Sequence, residues 1–115
     1  DLLDGIYGLL RATYEVTARQ TGGLEIVQSL RAVAPLQELR QASHRLVASQ
    51  FAQAVSELLG READESLMLP ARISVETGYA IVEMALEEEP QGADQQLREG
   101  ARLIRLYWLD ILATI

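Results

Sequence analysis

Apolar residues recur along this chain at three- and four-residue spacing, segment after segment, which is the period of an α-helix. In residues 2–20, Leu2, Ile6, Leu9, Leu10 and Val16 form one face, Leu3, Tyr7 and Tyr14 lie at its edge, and Asp4, Arg11, Glu15 and Arg19 fall opposite. That pattern predicts an amphipathic helix, weakened by roughly 1 kcal/mol at each of Gly5 and Gly8 relative to alanine. Thr13 and Thr17 lie on the apolar face, where each hydroxyl needs a partner. The carbonyl one turn back is the expected acceptor, and a ligand contact is the alternative. Thr21-Gly22-Gly23 breaks the pattern. A short helix is expected over residues 24–33, with Ile26, Val27, Leu30 and Val33 on one side. Pro35 either stops it or opens the next.

Residues 36–59 read as the longest helix, ended by Gly60 in a left-handed cap. Its apolar face is predicted to hold Leu36, Leu39, Leu46, Val47, Phe51, Ala54, Val55 and Leu58. Gln37, Gln41, Arg45, Ser49 and Ser56 lie opposite. Ser43 and Gln50 intrude on the apolar stripe, and His44 sits at its edge as a boundary residue. The Gln50 amide must bridge to a neighbouring helix or face a cavity. Residues 61–66 form a polar connection in which Asp64 or Ser66 could cap the next helix. Pro70 either kinks that helix or lies in its first turn.

The last two helices carry more apolar surface than one small core needs. Over residues 70–87 only a narrow strip is polar: Arg72, Glu76, Glu83 and Glu87. Gly78 would let another helix approach closely. After an acidic turn at residues 88–93, Asp94 is the expected N-cap. Leu97, Ala101, Ile104, Trp108, Ile111, Leu112 and Ile115 then make a broad stripe flanked by Tyr107, with Leu103, Leu106 and Leu109 outside it. A helix apolar around most of its girth is central in a large core or sandwiched against a partner. The chain's length favours the partner. The predicted fold is all-α, a five- to six-helix bundle forming a single domain over residues 1–115, whose last two helices meet a second chain.

Composition narrows the function. The 115 residues are 49% hydrophobic and 23% charged, an ordinary soluble balance. Glu76 and Glu83 divide one apolar segment, and Arg105 and Asp110 the other, so neither suits a bilayer. With no signal peptide and no cysteine, a soluble cytoplasmic protein is expected. All ten basic residues are arginine, and neither Lys nor Asn occurs. Those missing residues use adenine-rich codons, which points to a GC-rich, bacterial genome. The net charge of −7 repels a polyanion, so the chain is not expected to bind DNA by itself. Its first residue is Asp, which reads as a fragment or a processed chain.

The chemistry of catalysis is sparse. One histidine and no cysteine make a transition-metal site improbable, and no cofactor is expected. No Glu is followed by His at the spacing of carboxylate-bridged bundles. No Gly-x-Ser-x-Gly elbow, phosphate-cradling loop or dinucleotide fingerprint occurs. Glu87-Glu88-Glu89 reads as a solvated helix end. Arg98, Arg102 and Arg105, interspersed with Asp94, Glu99 and Asp110, read as a salt-bridged surface. An enzyme acting through His44 and a carboxylate is the weakest of three readings, and a helical interaction module or adaptor stands above it.

The order of elements supports the first. APLQELRQASHRLVASQFAQAVSELLG, then ISVETGYAIVEMALEEEP, then REGARLIRLYWLDIL, resembles the C-terminal domain of TetR-family transcriptional regulators over essentially the whole chain. The resemblance rests on helix order, the glycine in the penultimate helix, the acidic-proline turn and the tryptophan-bearing last helix. It implies a homodimer in which the last two helices and their two-fold copies form a four-helix bundle. Val75, Gly78, Val82, Leu86, Ile104, Trp108 and Ile111 are the expected interface. It also implies a pocket for a small, mostly apolar effector, into which Thr13, Thr17, Gln50, Phe51 and Thr77 would project. DNA would be read only by a helix-turn-helix outside this sequence.

Overall fold

Pro35 lies in the first turn of the longest helix, where its missing N–H is no loss. Gly60 ends that helix at φ 68°, its N–H donating to the carbonyls of Glu57 and Ser56. The computed structural model describes residues 2–20, 22–60 and 65–114. Among these residues there are five helices: α1 (Leu2–Ala18), α2 (Gly23–Ala32), α3 (Ala34–Leu59), α4 (Glu65–Glu87) and α5 (Pro90–Thr114). The chain is all-α, as its periodicity predicts.

Several boundaries shift from expectation. α1 stops at Ala18, and Gln20 donates to the Thr17 carbonyl in a turn that leads to Gly22 at φ +71°. α4 runs from Glu65 with Pro70 inside it, the first of the two arrangements expected for that proline. Ser66 is helical, and Asp64 lies outside the described residues. α5 begins at Pro90, which places Asp94 a full turn into the helix and frees its carboxylate for other work.

The helices form two compact units, Asp1–Gln28 with Thr77–Ile115, and Ser29–Glu76. In the first, α1 packs against α5. Ile6 and Leu10 of α1 point inward, whereas Leu9 and Val16, expected on the same face, are 60% and 56% exposed. α5 buries Ala93, Leu97, Gly100, Ala101, Ile104 and Trp108. Leu97 and Trp108 are almost wholly enclosed, and a fully buried side chain of this size contributes about 1.5–3 kcal/mol. Two glycines set close approaches here. A Cβ on Gly78 would stand 3.3 Å from Leu10 Cδ2, and one on Gly100 would stand 2.6 Å and 2.7 Å from Ile81 Cδ1 and Cγ2.

In the second unit, α3 turns an unexpected face inward. Its buried residues are His44, Ala48, Ala52 and Ser56, spaced four apart. Leu39, Leu46 and Leu58, predicted for the core, are 61%, 61% and 84% exposed. The inward face is small and partly polar. Ser56, expected opposite the core, is fully buried, and its hydroxyl donates to the Ala52 carbonyl at 2.8 Å. The Ser74 hydroxyl likewise donates to the Pro70 carbonyl at 2.8 Å, so each buried oxygen is satisfied locally. Leu67 and Ala71 of α4 are completely buried in this unit.

Candidate functional site

Asp94 is a hub. Its Oδ1 accepts from the Tyr7 hydroxyl and, at 3.2 Å, from Arg11 Nη1, while Oδ2 accepts from Arg98 Nε at 2.8 Å. The Arg98 guanidinium also lies over the Tyr7 ring, 4.3 Å from its centroid, a cation–π arrangement. Helix α1 is thereby tied to the first turns of α5. The Tyr7 hydrogen bond, followed by that of Arg98, holds the Asp94 carboxyl below the usual carboxylate range. The same bond raises the Tyr7 phenol. Only the Asp94–Arg98 spacing is visible in the sequence; Tyr7 and Arg11 reach the hub through tertiary packing.

The sign of the linked pH dependence follows. A carboxyl whose folded pKa is depressed contributes stability above its unfolded value, near 4, and loses it as pH falls through the folded value. Wild-type protein should therefore lose thermal stability on acidification below about pH 4. Asp94→Asn should melt lower than wild type at neutral pH and show a flatter acid limb. Parallel acid limbs for the two proteins in melts from pH 7 to 3 would contradict this.

Glu76 is the second hub. His44 is buried rather than at a boundary, and its Nδ1–H donates to Glu76 Oε1 at 2.8 Å. Arg72 Nε donates to the same oxygen at 3.0 Å, and Arg40 Nη1 lies 3.5 Å from Oε2. Burial acts to raise the Glu76 pKa, but the hydrogen bonds and charges of His44 and Arg72 outweigh it and the net shift is downward. This cluster ties α3 to α4 within the second unit. Along the expected polar strip of α4, Arg72 and Glu76 are half-buried, Glu83 is buried and Glu87 is exposed.

The predicted effector contacts are divided between the two units. Thr13 Oγ1 donates to the Leu9 carbonyl at 2.9 Å and Thr17 Oγ1 to the Thr13 carbonyl at 3.0 Å. Both hydroxyls are satisfied by α1 itself, the simpler of the two expectations. Gln50 is exposed on α3, so its amide neither bridges buried helices nor faces a cavity. Phe51 and Thr77 are half-buried. Thr13, Thr17 and Thr77 belong to the first unit, and Gln50 and Phe51 to the second.

The predicted interface residues are also redistributed. Val75, Val82, Ile104 and Trp108 are buried within the chain. Gly78 is buried too, and the helix that approaches it is α1 of the same chain. Leu86 and Ile111 are half-buried. What α4 and α5 present outward within the first unit is a different set: Met84 at 48% exposure, Leu103 at 58%, Leu106 at 52% and Leu109 at 42%. Met84 and Leu103 line a groove of about 460 Å³ between the two helices, floored by Ile81 and Gly100. The Oε1 of Gln96, in the same groove, is buried without a hydrogen-bond partner among the described residues. Around the groove, Arg102 lies 3.8 Å from Glu99 and Arg98 is paired with Asp94, so these two members of the arginine stripe are salt-bridged and solvated as expected.

Among the described residues no three metal-ligating side chains converge, and no helix is long and apolar enough to cross a membrane. Comparison with curated proteins and with solved structures gave no match. A family model described as "Tetracyclin repressor-like, C-terminal domain" matches residues 1–107, nearly the full length. An all-helical chain with this element order, matched over that span, belongs to the tetracyclin repressor-like C-terminal domain family.

Proposed function

We propose that this chain is the effector-sensing and dimerisation domain of a bacterial, cytoplasmic transcriptional regulator, with both units serving as one domain. DNA is then read by a helix-turn-helix outside this sequence, consistent with a net charge of −7 here. Domains of this family are regulatory, and the reading requires no catalysis, metal or cofactor. A small, mostly apolar effector would act by binding one dimer geometry better than another, since only differential affinity shifts such an equilibrium. The two DNA-reading heads match successive major grooves only at the correct spacing.

The observation that carries the reading is the outward apolar strip of α4 and α5. Met84, Leu103, Leu106 and Leu109 lie exposed on helices whose opposite faces already fill the chain's own core. A second copy would cover that strip. Sedimentation equilibrium at micromolar concentration tests it: a reversible dimer is expected, and a strictly monomeric chain removes the reading. The alternative, a module that binds a different protein, draws on the exposed Leu39, Leu46 and Leu58 of α3. A monomer would move the weight there.

A further inference from the structure

The groove between α4 and α5 is apolar below and acidic above. Its lining residues all belong to the first unit, with Ile81 and Gly100 as the floor, Met84 and Leu103 beside them, and Gln96 and Glu99 among the polar ones. At about 460 Å³ it has the size of a small-molecule site. No basic side chain is among the residues that line it. Two carboxylates stand over it instead. Glu99 lines the groove, and Glu88 Oε2 lies 3.8 Å from where a Cβ on Gly92, another lining residue, would stand. Glu99 is held only by the 3.8 Å contact with Arg102, both side chains being about two-thirds exposed, and such a surface pair is weak.

Gln96 adds a second, independent observation. Its Oε1 is shut away from water and accepts no hydrogen bond among the described residues. A buried acceptor without a donor bears its full desolvation penalty, and folded chains retain few of them. The last torsion of a glutamine is soft, so this oxygen is free to turn into the groove when a donor enters. That donor must also suit the acidic rim and the apolar floor. An anion is repelled, and a neutral donor leaves the carboxylates unanswered. A protonated amine on an apolar body meets all three demands. Its N–H donates to Gln96 Oε1, its charge faces Glu88 and Glu99, and its hydrocarbon covers Ile81, Met84 and Leu103.

We infer that the α4–α5 groove binds a hydrophobic ammonium ion, held by Gln96 Oε1 and the carboxylates of Glu88 and Glu99. The inference rests on the effector-sensing reading above and gives the effector a site and a chemical class. Titration calorimetry of the full chain with octylammonium at neutral pH tests it. Octylammonium should bind about tenfold tighter, or more, than octanol, octanoate or octyltrimethylammonium. These three lack the charge, reverse it, or lack the N–H. Gln96→Met should weaken binding about tenfold yet melt no lower than wild type, because it removes an unpaired acceptor. A glutamine with a merely structural role would melt lower when replaced. E88Q/E99Q should weaken binding severalfold, whereas E57Q/E65Q, the same change of charge in the second unit, should not. Octyltrimethylammonium or octanol bound as tightly as octylammonium would overturn the site, as would unchanged affinity in Gln96→Met. Equal losses in the two double variants would also overturn it, since they would reduce binding to general attraction by a net charge of −7. Sedimentation separates this test from the dimer reading: a monomer that binds octylammonium keeps the site without the dimer, and a dimer that does not bind it loses the site alone.

Discussion

Leu106→Glu is expected to weaken dimerisation about a hundredfold while leaving the helical content of the chain unchanged. Leu106 is 52% exposed in the single chain, so a carboxylate there meets water and costs the monomer little. At a two-fold crossing the same substitution acts twice. Burying a leucine fully contributes about 1.5–3 kcal/mol; Leu106 is already about half covered in the single chain, so each copy forfeits about half of that, and each carboxylate adds the cost of its own desolvation. A factor of one hundred corresponds to about 2.8 kcal/mol, which lies within that sum. Leu58→Glu is the control: Leu58 is 84% exposed and lies on α3, in the second unit. Sedimentation of both variants beside wild type, with circular dichroism for helicity, decides the matter. A Leu106→Glu dimer as tight as wild type would exclude this face of α5 from the interface.

The second large effect concerns folding rather than association. Gly100→Leu should destabilise the first unit by about 3 kcal/mol, the upper range of overpacking, and lower the melting temperature by about 10 °C. The cause is geometric. A Cβ at Gly100 would lie 2.6 Å from Ile81 Cδ1 and 2.7 Å from Cγ2. Cγ2 branches directly from the Ile81 β-carbon and has little freedom to withdraw. Gly5→Ala and Gly8→Ala make the contrast, because nothing lies within 4 Å of a Cβ at either position. Both sit inside α1, where alanine gains roughly 1 kcal/mol in helix propensity, so both should raise the melting temperature. Thermal melts of the three variants check the contrast, and a Gly100→Leu protein that melts with wild type would mean that α4 and α5 are not so closely apposed.

These two variants mark where sequence reasoning succeeded and where it turned the wrong way. Excess apolar surface on the last two helices was legible, because periodicity counts apolar residues whatever they touch. The division of that surface was not. Ile104 and Trp108 form the broad stripe of α5 and look like the natural interface, yet they fill the chain's own core. The outlying leucines face out. A helical wheel shows two apolar arcs and holds no information on which is nearer to α1 and α4.

Gly78 and Gly100 carry the same lesson. Gly78 does permit a close helix approach, but the helix is α1 of the same chain, through Leu10. Gly100 makes the tighter approach, and its position between Leu97 and Ala101 on the buried face is the signal in the sequence that points to it. The Asp94 hub was half-visible as an i, i+4 pair with Arg98; Tyr7, 87 residues away, was not visible at all. In α3, four of the five leucines share one arc of about 120°, so pattern alone assigned the inward face to the largest side chains. The structure instead buries Ala48, Ala52 and Ser56 and pays the polar cost of His44 through Glu76.

By itself, then, the sequence determined what depends on local chain energetics: five helical segments, the break at Gly22-Gly23, the proline start and glycine end of α3, and the all-α class. Spacing, caps and breakers act within a few residues, and those residues are adjacent in the chain. Only the tertiary structure decided which face of each helix turns inward. It also decided which glycines are pressed against a neighbour, and that His44 is held by Glu76 rather than by solvent. Burial is settled by residues far apart in sequence, and a polar side chain goes inside wherever a partner from another helix offsets its desolvation.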